Sequence, residues 1–218
     1  MPGVIVANRH LQPDEVAALL NGTSLRCPSG LRNRLLLELL YRGGLELSEA
    51  LVLRDVDVQC AASNLVRVRV YGRRGNSRSI TVRSELIAAD LLPRWRGLRP
   101  AWASHLLCTL ADCDQPTGFG RPARSGQPLR ACYVRAMIAR LAEKAGLEPG
   151  VACARALRRS HAAHAVAEGV DLRELQHRLG HSRIDTTAQY VAQGGSPKTS
   201  EEALGFSRGE ESEDRFAA

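Results

Sequence analysis

The stretch that most constrains the fold is residues 155–190, which has the pattern of three short helices joined by two turns. The first helix is rich in Ala, and Gly169 is placed to end it in a left-handed conformation. Asp171 can cap a second helix, whose leucines recur at three- and four-residue steps. Gly180 ends that helix, and Asp185 can cap a third. The stretch therefore predicts a compact three-helix unit at the end of the folded region.

Three polar side chains in this unit favour phosphate chemistry: Arg158, His181 and Tyr190. An Arg guanidinium is shaped to clamp a phosphate, a His can donate to another oxygen or move a proton, and a Tyr hydroxyl can be a covalent nucleophile. Each alone has a commoner structural explanation, as a solvated helix Arg, a turn-capping His or a packed Tyr. Together they suit attack on a phosphodiester.

The preceding chain predicts more helices than strands. Pro13 lies in the first turn of a helix that continues through DEVAALL. LRNRLLLELLY, residues 31–41, predicts a mostly buried helix, and Ser48 can cap the helix SEALVL after it. A helix broken near Pro93 is predicted for SELIAADLLPRWRG, and a short strand for SHLLCTL. An amphipathic helix is predicted for LRACYVRAMIARLAEKAG.

Between residues 56 and 82 the apolar period changes from helical to alternating. LVRVRVYG and SRSITV predict two antiparallel strands joined by the turn RRGN, and DVDV before them is a candidate third strand. The tip of this hairpin would hold several arginines, which could be solvated but more often indicate contact with nucleic acid. The predicted DNA contacts of the hairpin are Arg67, Arg69, Arg73, Arg74 and Arg78.

These elements predict an α+β fold, mainly α with a small antiparallel β-sheet. We expect residues 1–10 to form an N-terminal lead, residues 11–192 one domain, and residues 193–218 an acidic, disordered tail.

The charge of the chain favours a nucleic-acid partner. The formal net charge is +7, and 28 of the 30 basic residues are Arg. A GC-rich genome would also favour Arg, but Arg is the better phosphate ligand. Residues 193–218 carry six acidic and three basic side chains, so the rest of the chain has a net charge of +10. A basic body with an acidic tail is typical of nucleic-acid-binding proteins.

The six cysteines are scattered and form no CxxC pair, and the spacing of His105, Cys108 and Cys113 fits no common zinc pattern. The sequence therefore predicts reduced thiols, no metal and no cofactor. With no signal peptide and no apolar run of membrane-spanning length, we expect a cytoplasmic, nucleoid-associated protein.

Residues 156–190 read ALRRSHAAHAVAEGVDLRELQHRLGHSRIDTTAQY, and this wording closely resembles the tyrosine recombinases, also called the phage integrase family. The likeness extends in order from Leu11 to Ala192 and covers the C-terminal catalytic domain of that family. It implies the integrase catalytic-domain fold. We expect the chain to lack the separate N-terminal helical domain with which relatives complete a clamp around DNA.

The resemblance also implies a chemistry without metal. In the family a Tyr attacks the phosphorus, forms a 3′-phosphotyrosyl bond and frees a 5′-hydroxyl. Two Arg hold the non-bridging oxygens, a hairpin Lys is the general acid, and two further positions, usually His, complete the pocket. In this chain Tyr190, Arg158 and His181 match the nucleophile, the second Arg and one of the His positions.

Three positions depart from the family pattern. Glu46 stands where the first Arg is expected, and a carboxylate there would repel phosphate. Arg replaces the hairpin Lys; Arg74 is the best match and Arg73 the next, and Arg holds its proton too tightly to be a good general acid. Arg155 replaces the remaining His, a milder change because Arg can still donate to phosphate.

Glu46 and Glu49 could instead pair with Arg155 or Arg158, which would fill the pocket with internal ion pairs. The sequence thus favours a DNA-binding protein on a recombinase scaffold whose cleavage and strand exchange are impaired or lost, acting as a regulator or accessory subunit in recombination. Alternatives are an active recombinase that uses Tyr190 and a module that docks on a related recombinase. The expected partners are double-stranded DNA and another recombinase subunit, with oligomers on DNA and no membrane. Arg155, Arg158 and Arg159 join the hairpin arginines as predicted DNA contacts.

Overall fold

The computed structural model describes residues 9–72, 76–111 and 124–192. The described chain is mostly helical and contains one small sheet. The predicted fold class is therefore confirmed. The helices are α1 (Pro13–Asn21), α2 (Pro28–Arg42), α3 (Leu47–Val52), α4 (Leu92–Leu98), α5 (Ala131–Lys144), α6 (Ala154–Ala167), α7 (Leu172–Leu179) and α8 (Ile184–Ala192), and the strands are β1 (Val58–Ala62), β2 (Leu65–Tyr71) and β3 (Ser77–Arg83).

Helix α2 is the centre of the core, as its apolar sequence predicts. It packs against α1, α3, α4 and α6, and its leucines are buried on nearly every side. The fully buried Glu38 is tolerated because Arg34 and Arg42, one turn away on either side, hold its two oxygens at 2.9 and 2.7 Å. Arg32 is equally buried and donates to the carbonyl oxygen of Cys108 at 3.0 Å.

The sheet has the order β1-β2-β3, and both pairings are antiparallel. Its inner face consists of buried aliphatic side chains, while the outer face is exposed, so the predicted hairpin is confirmed. The third strand also exists but begins at Val58, since residues 55–57 form a single 3₁₀ turn.

Several predicted boundaries are corrected. The residue that caps α3 is Glu46, two positions before the predicted Ser48. Pro93 does not end the helical run: a π-helical segment, Leu86–Leu91, runs directly into α4, of which Pro93 is the second residue. SHLLCTL forms only an isolated bridge between Cys108 and Pro128 rather than a strand within the described residues.

The predicted three-helix unit is α6, α7 and α8. Gly169 and Gly180 adopt positive φ angles of 86° and 71° and end the first two helices. The Asp171 carboxylate caps α7 by accepting from the backbone N–H of Arg173 at 2.8 Å. Helix α8 begins at Ile184, so Asp185 lies in its first turn instead of capping it. A small apolar cluster joins the three helices: Ala162, Ala165, Leu175 and Leu179, with Tyr190 and Val191 against it.

Candidate functional site

An open pocket of about 960 Å³ lies between α3, the end of the β2–β3 hairpin and the C-terminal end of α7. Glu46 and Glu49 line it from α3, Arg78 from β3, and His181 from the turn after α7. It brings together the two halves of the site that are more than 100 residues apart in sequence. The pocket is therefore the candidate phosphate site.

Arg158, on α6, is 4% exposed and lies behind the pocket, in contact with the lining residues Glu46, Glu49 and His181. Its Nη1 donates to the carbonyl oxygen of Gly44 at 2.9 Å, and its Nη2 donates to that of Leu179 at 2.7 Å. Two carboxylates also surround it: Glu49 lies 3.3 Å from Nη1, and Glu46 lies 3.6 Å from Nη2. The carboxylates were predicted to pair with Arg155 or Arg158, and the described ion pairs are with Arg158, whose guanidinium is surrounded by four oxygens of the protein.

Glu49 is buried and forms ion pairs with both Arg78 and Arg158. Its two oxygens accept from Nη1 and Nη2 of Arg78 at 2.6 and 2.9 Å, a bidentate geometry. Glu49 also accepts from the backbone N–H of Glu46 at 2.8 Å, which fixes the start of α3. Arg78 completes its bonds by donating from Nε to the carbonyl oxygen of Arg178 at 2.8 Å. Glu49 thereby links α3, β3 and α6.

Arg78 therefore corrects the prediction that it belongs to an exposed hairpin tip. It is the second residue of β3, opposite Val70, and it points to the same side as Ile80 and Val82. Its side chain is only 10% exposed and is bound to Glu49. Alternation along the strand is the sequence signal that could have placed it, because residues two apart share a face.

Glu46 occupies the mouth of the pocket. It is the N-cap residue of α3, and its side chain is 43% exposed. Arg158 is far more buried, so Glu46 lies between that guanidinium and solvent. With Glu46 and Glu49 facing Arg158 and Arg78, the four charges of this wall sum to zero.

His181 follows Gly180, and its ring contacts two polar groups. Its Nε2 lies 3.4 Å from Nη2 of Arg158, and its Nδ1 lies 3.0 Å from Oγ1 of the buried Thr187. Since Arg can only donate, Nε2 is the acceptor and the ring proton belongs on Nδ1, directed at Thr187. Burial, followed by the charge of Arg158, lowers the pKa of His181 to about 4, so the ring is neutral near pH 7.

Tyr190, on α8, lies beside His181 with the two rings edge to face and their centroids 5.4 Å apart. The side chain is half-buried against the apolar cluster of α6–α8. Burial raises the pKa of the phenol, although nearby arginines, Arg158 foremost, oppose this. The candidate nucleophile therefore lies behind the lining residue His181 and is protonated near pH 7.

The remaining predicted residues divide by exposure. Arg155 is exposed at the start of α6, and Arg67 and Arg69 are exposed on the outer face of β2. Arg159 is 4% exposed, so its position inside the fold does not support the predicted contact with DNA. The two arginines that match the hairpin general acid, Arg73 and Arg74, lie outside the described residues, as does the predicted acidic tail.

The described residues contain no group of three or more His, Cys, Asp or Glu side chains that could hold a metal ion. In the same ranges no helix is long and apolar enough to cross a membrane.

Comparison with known proteins places this geometry in a family. The sequence profile of the Phage integrase family matches residues 9–195. The chain belongs to the phage integrase family. Its relatives include the tyrosine recombinase XerD of Xanthomonas axonopodis pv. citri (strain 306), 35% identical over 182 residues, and the tyrosine recombinase XerC of Rhodospirillum centenum, 34% identical over 191 residues. The matches cover 83% and 84% of this chain but only 57% and 50% of the relatives, so the chain spans about half the length of these relatives.

Solved structures share the integrase fold. A XerH site-specific recombinase bound to a palindromic difH substrate in a post-cleavage complex superposes with a TM-score of 0.69 at 24% identity, over 85% of this chain and 50% of that one. The catalytic domain of bacteriophage HP1 integrase gives 0.53 at 18% identity, over 91% and 94%. This integrase chain therefore has the catalytic-domain fold predicted from its motifs.

Sequence reasoning missed the roles of Arg78 and Thr187. Thr187 is fully buried and accepts the His181 ring proton, which sets the tautomer. The repeated Thr at positions 186 and 187 gave no sign of which one faces inward, because that depends on where α8 begins.

Proposed function

We propose that this integrase-family chain is a DNA-binding protein in which cleavage and strand exchange are impaired or lost, and that it acts as a regulator or accessory subunit in DNA recombination. The observation that carries the proposal is the contact of Arg158 with two carboxylates, Glu46 at 3.6 Å and Glu49 at 3.3 Å. An Arg that would clamp a non-bridging oxygen is here neutralised from within the protein.

The electrostatic argument concerns the charge that develops on the phosphate. In a reaction without metal, preorganised cations must stabilise the phosphorane oxygens, and losing one such donor costs on the order of 10²–10³ in rate. Here the first clamp is replaced by the anionic Glu46, and the second is held by carbonyl oxygens of Gly44 and Leu179. Both changes lower transition-state stabilisation in the same direction.

The protonation states of His181 and Tyr190 also disfavour cleavage. The Nε2 of His181 is an acceptor facing Arg158, so the nitrogen nearest the clamp carries no proton to donate to a phosphate oxygen. Tyr190 must lose its proton to attack, and its raised pKa opposes this near pH 7. No described carboxylate or imidazole is within hydrogen-bond distance of the Tyr190 hydroxyl. The nucleophile therefore lacks an evident base among the described residues.

Affinity for DNA does not depend on these defects. Arg155, at the start of α6, is one of several exposed arginines, and the chain outside residues 193–218 has a net charge of +10. Phosphate contacts by such arginines supply binding independent of sequence. The similar XerH structure is a complex with its DNA substrate, which supports duplex DNA as the partner of this chain and a related recombinase subunit as a second partner.

A phosphorothiolate suicide substrate tests the proposal, because cleavage of its bridging sulfur traps the covalent tyrosyl adduct. The wild-type chain, Tyr190→Phe and the restored variant Glu46→Arg with Arg74→Lys are compared by denaturing gel. We expect binding without adduct for the wild type and an adduct for the restored variant that disappears when Tyr190→Phe is added. A wild-type adduct that Tyr190→Phe abolishes would refute the loss of cleavage.

A second candidate function, an active recombinase, is favoured by one observation: Arg158, His181 and Tyr190 lie together at one site. The same assay separates the two. An active enzyme gives the adduct without restoration at Glu46.

A further inference from the structure

The outer face of the three-stranded sheet carries a compact group of arginines, Arg67 and Arg69 on β2 and Arg83 on β3. All three are exposed. Arg67 and Arg69 are two residues apart on one strand, a separation of about 7 Å. Arg67 pairs with Thr81 in the register, so Arg83 is its diagonal neighbour across the sheet, also about 7–8 Å away. The three cations thus form one continuous patch, which we call the sheet patch.

The sheet patch is not neutralised by the protein. Within the described residues none of its three guanidinium groups forms a hydrogen bond or an ion pair, whereas Arg78 and Arg158 are fully engaged. The sequences of β1, β2 and β3 contain no Asp or Glu. The other exposed side chains of the face are small or neutral, among them Gln59, Ser79 and Thr81. An anion with regularly spaced charges is the complementary partner.

The sheet patch lies on the side of the sheet opposite Arg78. Arg78 points to the inner side of the sheet and reaches the pocket wall, while successive side chains along a strand point to opposite sides. Arg67, Arg69 and Arg83 therefore lie on the side opposite Arg78. Duplex DNA is stiff, with a persistence length of about 150 base pairs, so a single duplex seated over the pocket cannot fold around the hairpin to cover both faces.

We propose that the sheet patch is a second DNA-binding surface, which holds the phosphate backbone of a duplex segment other than the one at the pocket. The inference rests on the proposed DNA-binding function and extends it: one chain joins two duplex segments. The contacts are guanidinium to phosphate, with no base readout, because arginines on a flat sheet face reach the backbone first. Binding at this surface is independent of sequence and sensitive to salt.

A bridging assay tests the proposal. A biotinylated duplex on beads is loaded with the chain, and retention of a second, fluorescent duplex of unrelated sequence is measured. Binding to the first duplex is followed separately by fluorescence anisotropy. The test variant combines Arg67→Gln, Arg69→Gln and Arg83→Gln. The control, called the α5 control, combines Arg130→Gln at the N-cap of α5 with Arg135→Gln and Arg140→Gln on the helix; all three are exposed and change the net charge equally.

We expect the wild type and the α5 control to retain the second duplex and the sheet-patch variant to lose it, while all three bind the first duplex. Each phosphate contact adds about 0.9 to the salt slope, so three contacts weaken second-duplex binding about 40-fold when salt rises from 50 to 200 mM.

Three results would overturn the inference. A wild type that binds the first duplex but never retains a second leaves the proposed function standing without the second surface. Retention that survives in the sheet-patch variant comes from two chains that each use their pocket. Equal loss in both triple variants shows a general effect of charge. A wild type that binds no duplex at all instead refutes the proposed function.

Discussion

Replacing Glu46 with Gln tests most directly whether a carboxylate at the position of the first phosphate-binding Arg weakens phosphate binding. The substitution removes one negative charge at the mouth of the pocket and keeps the size and hydrogen-bonding ability of the side chain. Arg158 then keeps Glu49 at 3.3 Å but loses the second carboxylate, which lies 3.6 Å from its Nη2. The wall changes from neutral to a net charge of +1, so a phosphate should bind more tightly.

The expected magnitude follows from the geometry. A phosphate oxygen bound to Arg158 next to Glu46 would lie about 4 Å from the Glu46 carboxylate, where two unit charges interact by about 1 kcal/mol in water and about 4 kcal/mol at an effective dielectric of 20. Because the Glu46 side chain is 43% exposed, solvent screens part of this, and we take about 2 kcal/mol. That corresponds to about 30-fold tighter binding.

The assay is anisotropy of a labelled duplex at fixed salt, with Glu143→Gln as the control. Glu143 is an exposed acid on α5, so its substitution changes the net charge by the same amount away from the pocket. We expect the control to change affinity by less than about twofold, as an exposed charge does at a distance. Equal affinities for Glu46→Gln and Glu143→Gln would refute the view that Glu46 opposes phosphate in the pocket.

Three further predictions concern stability, measured by urea denaturation. Arg158→Met should cost about 3–5 kcal/mol because it leaves buried Glu49 short of a partner, and adding Glu49→Gln should recover part of that loss. His161 is 9% exposed, and burial lowers its pKa to about 4 from an unfolded value near 6.5. Between these two values the unfolded chain binds more protons than the folded one. The contribution of His161 to the free energy of unfolding, about 3 kcal/mol, is therefore complete above pH 6.5 and is lost as the pH falls towards 4. His161→Phe should flatten that dependence, and an unchanged slope would contradict the assignment. Gly44 has a φ of 59°, and a Cβ there would lie 2.5 Å from Cδ2 of His161. Gly44→Ala should therefore lower the free energy of unfolding by about 2–4 kcal/mol. Gly146 has a similar φ but open space around it, so Gly146→Ala should cost about 1 kcal/mol.

The fold was predictable where one apolar period persisted over many residues. The leucines of α2 and the alternating valines of β2 each admit one secondary structure, and both elements were found within a few residues of the predicted bounds. Predicted helix boundaries were wrong where two residues could each serve as the N-cap. Ser48 is the better intrinsic cap, but Glu46 begins α3 because Glu49 bonds back to its N–H.

The site was predictable only in part, because sequence motifs name residues without their neighbours. The motif identified Arg158, His181 and Tyr190, and the pairing of Arg158 with two carboxylates followed from their chemistry. It also predicted a DNA contact for the adjacent Arg159, which is as buried as Arg158. It also treated Arg78 as part of the hairpin tip, although the inward side of β3 determines its role.

Glu46 has a structural role that limits what its reversal can achieve. It is the N-cap residue of α3, and the partial positive charge of a helix N-terminus stabilises an acidic side chain there by about 0.3–1 kcal/mol. Glu46→Arg gives up that stabilisation and sets a cation against the same helix end. The pocket wall, however, gains two units of charge, so the phosphate interaction should change by about twice the value worked out for Gln, about 4 kcal/mol. Phosphate affinity should therefore rise far more than stability falls. Cleavage should not follow from this change alone, because Arg74 still stands at the position of the general acid. A variant that binds tightly and does not cleave would separate the clamp from the proton transfers.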